Sequence, residues 1–82
     1  MEYPVRIADQ LKSILKAYRT SQSLTQAELS QKIGVTQQAY SLLESAPERA
    51  SFERLLSVFS ALGVEVILRE KQTSANQASV EW

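Results

Sequence analysis

The chain has 82 residues, with nine Lys and Arg balancing nine Asp and Glu for a formal net charge of zero, and it contains neither histidine nor cysteine. One domain of this size buries only roughly 60 to 65% of the surface its unfolded form exposes. Disulfides are excluded, a metal is disfavoured, and a second copy of the chain is the remaining common source of stability.

No run approaches the ~18 apolar residues of a membrane span, and the N-terminus lacks the apolar core of a signal peptide. A soluble cytoplasmic protein with no membrane association, no metal and no cofactor is the expectation. Enzyme activity is not expected either. The familiar nucleophile and base pairs need the missing histidine or cysteine, and Gly34 and Gly63 are the only glycines, too few for a phosphate loop. Charge is distributed unevenly. Residues 10 to 43 carry Lys12, Lys16, Arg19 and Lys32 against Glu28, a net +3. From residue 44 onward Arg49, Arg54, Arg69 and Lys71 face Glu44, Glu48, Glu53, Glu65, Glu70 and Glu81, a net −2. The N-terminal half is the one suited to an anion.

Residues 6 to 21 read as a first helix, with Ile7, Leu11, Ile14, Leu15 and Tyr18 gathered on one side. Lys12, Lys16 and Arg19 fall within about 60° of one another on a neighbouring side, as a solvated face or a stripe turned to phosphate. A second helix opens at Thr25, whose hydroxyl can cap the first turn while Glu28 reaches back in a capping box. Ala27, Leu29 and Ile33 form its apolar side, and Gly34 allows a sharp stop. Thr36 then caps a third helix running to Glu44, with Tyr40 and Leu43 turned inward. Two helices of about nine residues joined by a turn of roughly three have the spacing of a helix-turn-helix.

Pro47 breaks the following loop, and Ser51 caps a fourth helix ended by Gly63. Its expected core stripe is Phe52, Leu55, Leu56, Phe59 and Leu62. From Val64 to Glu70 the pattern switches to period two, with β-branched Val64, Val66 and Ile67 ahead of Leu68. A strand needs a ladder partner. Pairing with the same strand of a second copy gives a homodimer joined through Val64, Val66, Ile67 and Leu68; pairing with residues 2 to 5 is the alternative. Residues 71 to 82 are polar and read as a flexible tail ending in Trp82, the only tryptophan, which is either a chance terminus or an anchor for a partner or protease. The expected organisation is a DNA-binding domain over 1 to 63, a dimerising strand over 64 to 70, and a tail.

In a helix-turn-helix the start of the second helix enters the major groove. Here it would present Thr36, Gln37, Gln38 and Ser41 to base edges, with Leu42 on the rim. A glutamine amide matches the N6 and N7 edge of adenine, and the threonine methyl can meet a thymine methyl. Gln26, at the first turn of the preceding helix, and the cations Arg19 and Lys32 are candidates for phosphate contact.

From Leu24 to Glu44, the run Leu-Thr-Gln-Ala-Glu-Leu-Ser-Gln-Lys-Ile-Gly-Val-Thr-Gln-Gln-Ala-Tyr-Ser-Leu-Leu-Glu resembles the Xre and Cro family of phage-repressor-like DNA-binding domains. Leu-Thr-Gln-x-Glu-Leu, Ile-Gly-Val and the closing Leu-Glu carry the resemblance, and Thr36-Gln37-Gln38 is similar to the reading head of a lambdoid-phage repressor. The resemblance implies a phosphate contact at Gln26 and base readers at Gln37 and Gln38. Ser23 stands where that family usually has glycine, and Leu42 where it usually has a polar residue.

The Tyr3-Pro4 lead, the single strand after the fourth helix and the polar tail ending in Glu81-Trp82 extend the resemblance to the HipB-type antitoxins. That resemblance implies an all-α, four- to five-helix domain with a C-terminal strand forming a two-stranded β-lid between subunits. It further implies a bacterial autorepressor that binds palindromic operator DNA on the nucleoid, neutralises a HipA-like Ser/Thr kinase toxin, and contacts the toxin or a protease through Trp82. A free-standing regulator, or the DNA-binding member of a three-component system, is the alternative; a protein-interaction module without DNA binding is a third.

Overall fold

The computed structural model of the protein describes residues 2–71. Its elements are a 3-10 turn at Ala8–Gln10, α1 (Leu11–Ser21), α2 (Gln26–Ile33), α3 (Gln37–Ser45), a second 3-10 turn at Pro47–Arg49, and α4 (Phe52–Ala61). The helical architecture and the three-residue turn, Gly34 to Thr36, match the expectation. No described helix is long and apolar enough to cross a membrane.

The first helix is shorter than its periodicity suggests. The Gln10 side-chain oxygen accepts hydrogen bonds from the backbone N–H groups of Arg6 and Ile7, so the chain tightens into a 3-10 turn before α1 starts. Ile7, without a helix to aim it inward, is 63% exposed. The remaining starts are capped as their sequences dictate. Thr25 Oγ1 accepts from Glu28 N at 3.0 Å while Glu28 Oε1 accepts from Thr25 N at 2.8 Å, satisfying two otherwise orphaned amides. Thr36 Oγ1 caps α3 through Ala39 N at 3.0 Å, and Ser51 Oγ caps α4 through Arg54 N at 3.1 Å.

The buried core consists of Leu15 of α1, Leu29 of α2, Tyr40 and Leu43 of α3, and Leu55, Val58, Phe59 and Leu62 of and after α4. All of these except Val58 lie on the sides that the sequence spacing turns inward. The stripe of α4 is rotated from the expected one: Val58 is buried, whereas Phe52 and Leu56 are 64% and 41% exposed. A four-helix unit this small surrounds only one side of its last helix, and Leu55, Val58, Phe59 and Leu62 already fill that side at i, i+3, i+4 and i+7.

Two turns require left-handed backbone. Gly34 takes φ 75° at the end of α2, as expected of glycine there. Ser23 takes φ 58° between α1 and α2. A side chain in that conformation costs roughly 1 to 2 kcal/mol, against roughly 0.5 to 1 kcal/mol for the extra freedom a glycine brings to the unfolded chain. Ser23→Gly therefore stabilises the domain by about 0.5 to 1 kcal/mol, read as a higher midpoint in urea. An unchanged or lower midpoint would remove backbone strain as the account of this turn.

After Gly63 the chain runs without regular structure through residue 71, and it has no ladder partner among the described residues. Residues 2 to 5 do not supply one; the two segments meet through an exposed Arg69–Glu2 ion pair at 3.3 Å. The expected intersubunit strand lies in a segment that the other described residues leave open. Trp82 and the tail beyond residue 71 lie outside the described residues.

Candidate nucleic-acid interface

The two capped N-termini of α2 and α3 supply the candidate surface. At the start of α3, Thr36, Gln37, Gln38 and Ser41, the candidate base contacts, are all exposed. The Thr36 hydroxyl oxygen accepts from Ala39 N, which leaves its O–H hydrogen and its methyl group for a base. The only charged residue of α3 is Glu44, which is buried, so the exposed side of the helix carries no carboxylate to repel a phosphate backbone.

What holds α3 against α1 and α2 is a network centred on Glu44. One carboxylate oxygen, Oε2, accepts from Arg19 Nε and from the Tyr40 hydroxyl, each at 2.8 Å. The other, Oε1, accepts from Arg19 Nη2 at 3.0 Å and from Gln26 Nε2 at 3.1 Å. Arg19 Nη1 donates in addition to the Leu24 carbonyl at 2.9 Å. Burial pushes the Glu44 pKa up, but the hydrogen bonds from Arg19, Gln26 and Tyr40, with the Arg19 charge, outweigh it and hold the carboxyl below its ordinary value. Arg19 is shifted upward, first by its hydrogen bond to Glu44. Tyr40 is also shifted upward, first by burial and then by the carboxylate beside it. At neutral pH the cluster is an ion pair plus a neutral phenol, with every buried side-chain polar atom among the described residues satisfied.

This geometry corrects the expected role of Arg19. Its guanidinium is buried in a two-pronged pair with Glu44 and cannot also serve as a surface phosphate contact. Lys32 is exposed in the last turn of α2, where it lines a shallow groove with Glu53 and Leu56 of α4, one short turn before α3. Gln26 stays in place: it is half-buried at the first turn of α2, one amide hydrogen committed to Glu44 and the helix-terminal N–H groups beside it. Of the three candidate phosphate contacts, Arg19 alone is taken up by a buried ion pair. Lys12 pairs with Asp9 at 3.2 Å on the outer side of α1.

Glu44 is the residue whose role sequence reasoning missed. A signal was present, since it sits four residues after Tyr40 and next to Leu43, placing a carboxylate on the inward stripe of α3. A charge there needs a buried counter-ion, and Arg19 is the cation that α1 turns inward.

Against this geometry, the chain matches the family described as "Helix-turn-helix" over residues 15–68. It is 29% identical over 77 residues to Antitoxin HipB of Escherichia coli, an alignment covering 89% of this chain and 82% of that protein. Its structure is similar to that of a chain in a HipB-O1-O2 complex, with a TM-score of 0.77 and 25% identity over 84% of this chain and 100% of that one. A chain in a HipA-HipB-O2-O3 complex is similar in fold, with a TM-score of 0.79 and 24% identity, covering 87% of this chain and 100% of that one.

Proposed function

The chain belongs to the helix-turn-helix family, and from that premise we propose that it is a dimeric, sequence-specific DNA-binding autorepressor that also acts as the antitoxin of a HipA-like Ser/Thr kinase toxin. The observation that carries the DNA-binding reading is the exposed Thr36-Gln37-Gln38 and Ser41 set on a capped helix, fixed beside Gln26 by the buried Glu44 network. Glutamine amides at the start of such a helix suit adenine edges, and Gln26 with the amides of α2 suits a phosphate. The kinase partner is supported by the likeness to Antitoxin HipB and to a chain of the HipA-HipB-O2-O3 complex. The protein would act in the bacterial cytoplasm, on the nucleoid when bound to its operator.

Dimerisation follows from what one chain lacks. One helix-turn-helix reads few base pairs, and a chain with no net charge gains little affinity independent of sequence. Val66, Ile67 and Leu68 are 45%, 72% and 95% exposed on a segment without a ladder, and a second copy would pair that backbone and cover the apolar side chains. Selection from random duplexes is expected to enrich a palindrome whose half-sites lie roughly 34 Å apart, or a multiple of that distance. The chain with residues 64 to 70 deleted should sediment as a monomer and lose preference for the palindrome. Enrichment of a single unpaired half-site by the intact chain, or a dimer surviving the deletion, would sink the two-fold arrangement.

A further inference from the structure

One exposed apolar side chain on α3 has no role in the fold. Leu42 is 69% exposed, although its chain neighbour Leu43 is 7% exposed and Tyr40 is fully buried. Its position follows from helix geometry. Tyr40, Leu43 and Glu44 define the inward side of α3, and residues 38, 42 and 45 fall opposite to them at 100° per residue. Leu42 lies one turn beyond Gln38, roughly 6 Å further along the helix and about 40° around it. Its exposed surroundings on α3 are Gln38, Ala39, Ser41 and Ser45, all small or polar and uncharged.

These surroundings decide what fits. A protein-docking surface needs contiguous apolar area, and among the described residues Leu42 is the one large exposed hydrophobic of α3, the others standing on α4 and in segments 3–7 and 66–68. A single branched side chain, among one small apolar and three uncharged polar neighbours on a helix that would lie in the major groove, matches an apolar group of one carbon. The thymine C5 methyl is that group, the one apolar feature by which the major-groove edge of an A·T pair is marked.

We infer that Leu42 is a specificity-determining residue that packs on a thymine methyl, about two base-pair steps beyond the pair read by Gln38. The inference rests on the reading of α3 as the DNA-reading helix, and it names the chemistry of the outer end of that surface. Where Gln37 and Gln38 specify by hydrogen bonds, Leu42 specifies by excluding water from one methyl group. It therefore discriminates T·A from C·G at its position without any polar contact of its own.

Deoxyuridine tests this directly, because replacing thymine by uracil removes the methyl and leaves every hydrogen-bonding group of the pair in place. The probe is the palindromic duplex enriched by selection, with each thymine replaced in turn and symmetrically in both half-sites. At one thymine per half-site the wild-type chain should lose about fourfold in affinity for each methyl removed. Leu42→Ala should bind the unmodified duplex correspondingly more weakly and show no further loss at that one thymine. Its melting temperature and sedimentation should stay unchanged, since the side chain is exposed.

If no thymine shows a loss that depends on Leu42, the inference is overturned while the DNA-binding reading stands, provided Gln37→Ala with Gln38→Ala still abolishes preference for the duplex. Equal weakening of Leu42→Ala on the selected duplex and on random DNA also overturns it. Changed sedimentation of Leu42→Ala with methyl sensing intact would assign the residue to a contact between proteins instead. Failure to enrich any sequence refutes DNA reading by α3, and this inference falls with it.

Discussion

Replacing Glu44 with alanine destabilises the domain by about 3 to 5 kcal/mol, because it leaves the Arg19 guanidinium buried without a counter-ion. Three donors are deprived of their acceptor together: Arg19, the Tyr40 hydroxyl and the Gln26 amide. A domain of this kind has only about 5 to 15 kcal/mol in total, and a short chain sits towards the lower end, so much of the variant should be unfolded at 25 °C. Circular dichroism and urea melts read this directly. Arg19→Met combined with Glu44→Leu supplies the control, since removing both charges together can be close to neutral. A double variant as unstable as Glu44→Ala would show that packing at these positions, not the unpaired charge, dominates.

The same residue sets an acid limit. Its carboxyl is held below the ordinary value in the folded protein, so the stabilisation is fully present above the unfolded pKa of about 4.3. It disappears progressively as pH falls from about 5 through the depressed folded value. The urea midpoint of the wild type should therefore drop across that range more steeply than that of the double variant lacking both charges. Parallel curves would show that other carboxylates account for the acid effect.

The second large effect is on recognition. Gln37→Ala with Gln38→Ala should weaken binding to the selected palindrome by about 1 to 3 kcal/mol for each bidentate pair of hydrogen bonds removed, which is roughly 5- to 150-fold apiece. Both side chains are exposed and neither caps α3, so the melting temperature should hold. Affinity for random DNA should also hold, because that affinity comes from the phosphate backbone. Equal weakening on both kinds of duplex would refute direct readout by this pair.

Much of this architecture is legible from local signals. Thr25 with Glu28, Thr36, Gly34 and Ser51 each act within a few residues of themselves, and the structure uses each as its residue type predicts. The exposed side chains at the start of α3 are equally legible, since the cap at Thr36 determines which ones stand there. Long-range choices are not. Whether Arg19 faces phosphate or a buried carboxylate depends on Glu44, 25 residues away, and no window along the chain shows the two together. Nor does the spacing of α4 reveal which of its apolar residues the other helices reach, which is why Phe52 and Leu56 read as inward-facing. The segment after Gly63 poses a related problem. Its period-two pattern describes a surface, and a ladder needs a partner that the described residues do not supply.

The division of α3 into two non-overlapping sets of residues bears on how such a protein can change over time. Tyr40, Leu43 and Glu44 bind the helix to its scaffold, whereas Gln37, Gln38, Ser41 and Leu42 stand exposed on its other side. On the proposed reading of DNA by α3, mutations in the outer set alter which operator is preferred without passing through an unfolded intermediate sequence. A lineage of such regulators can thus diverge in target while its scaffold stands still, and a designer can graft a new outer set onto this helix by the same route.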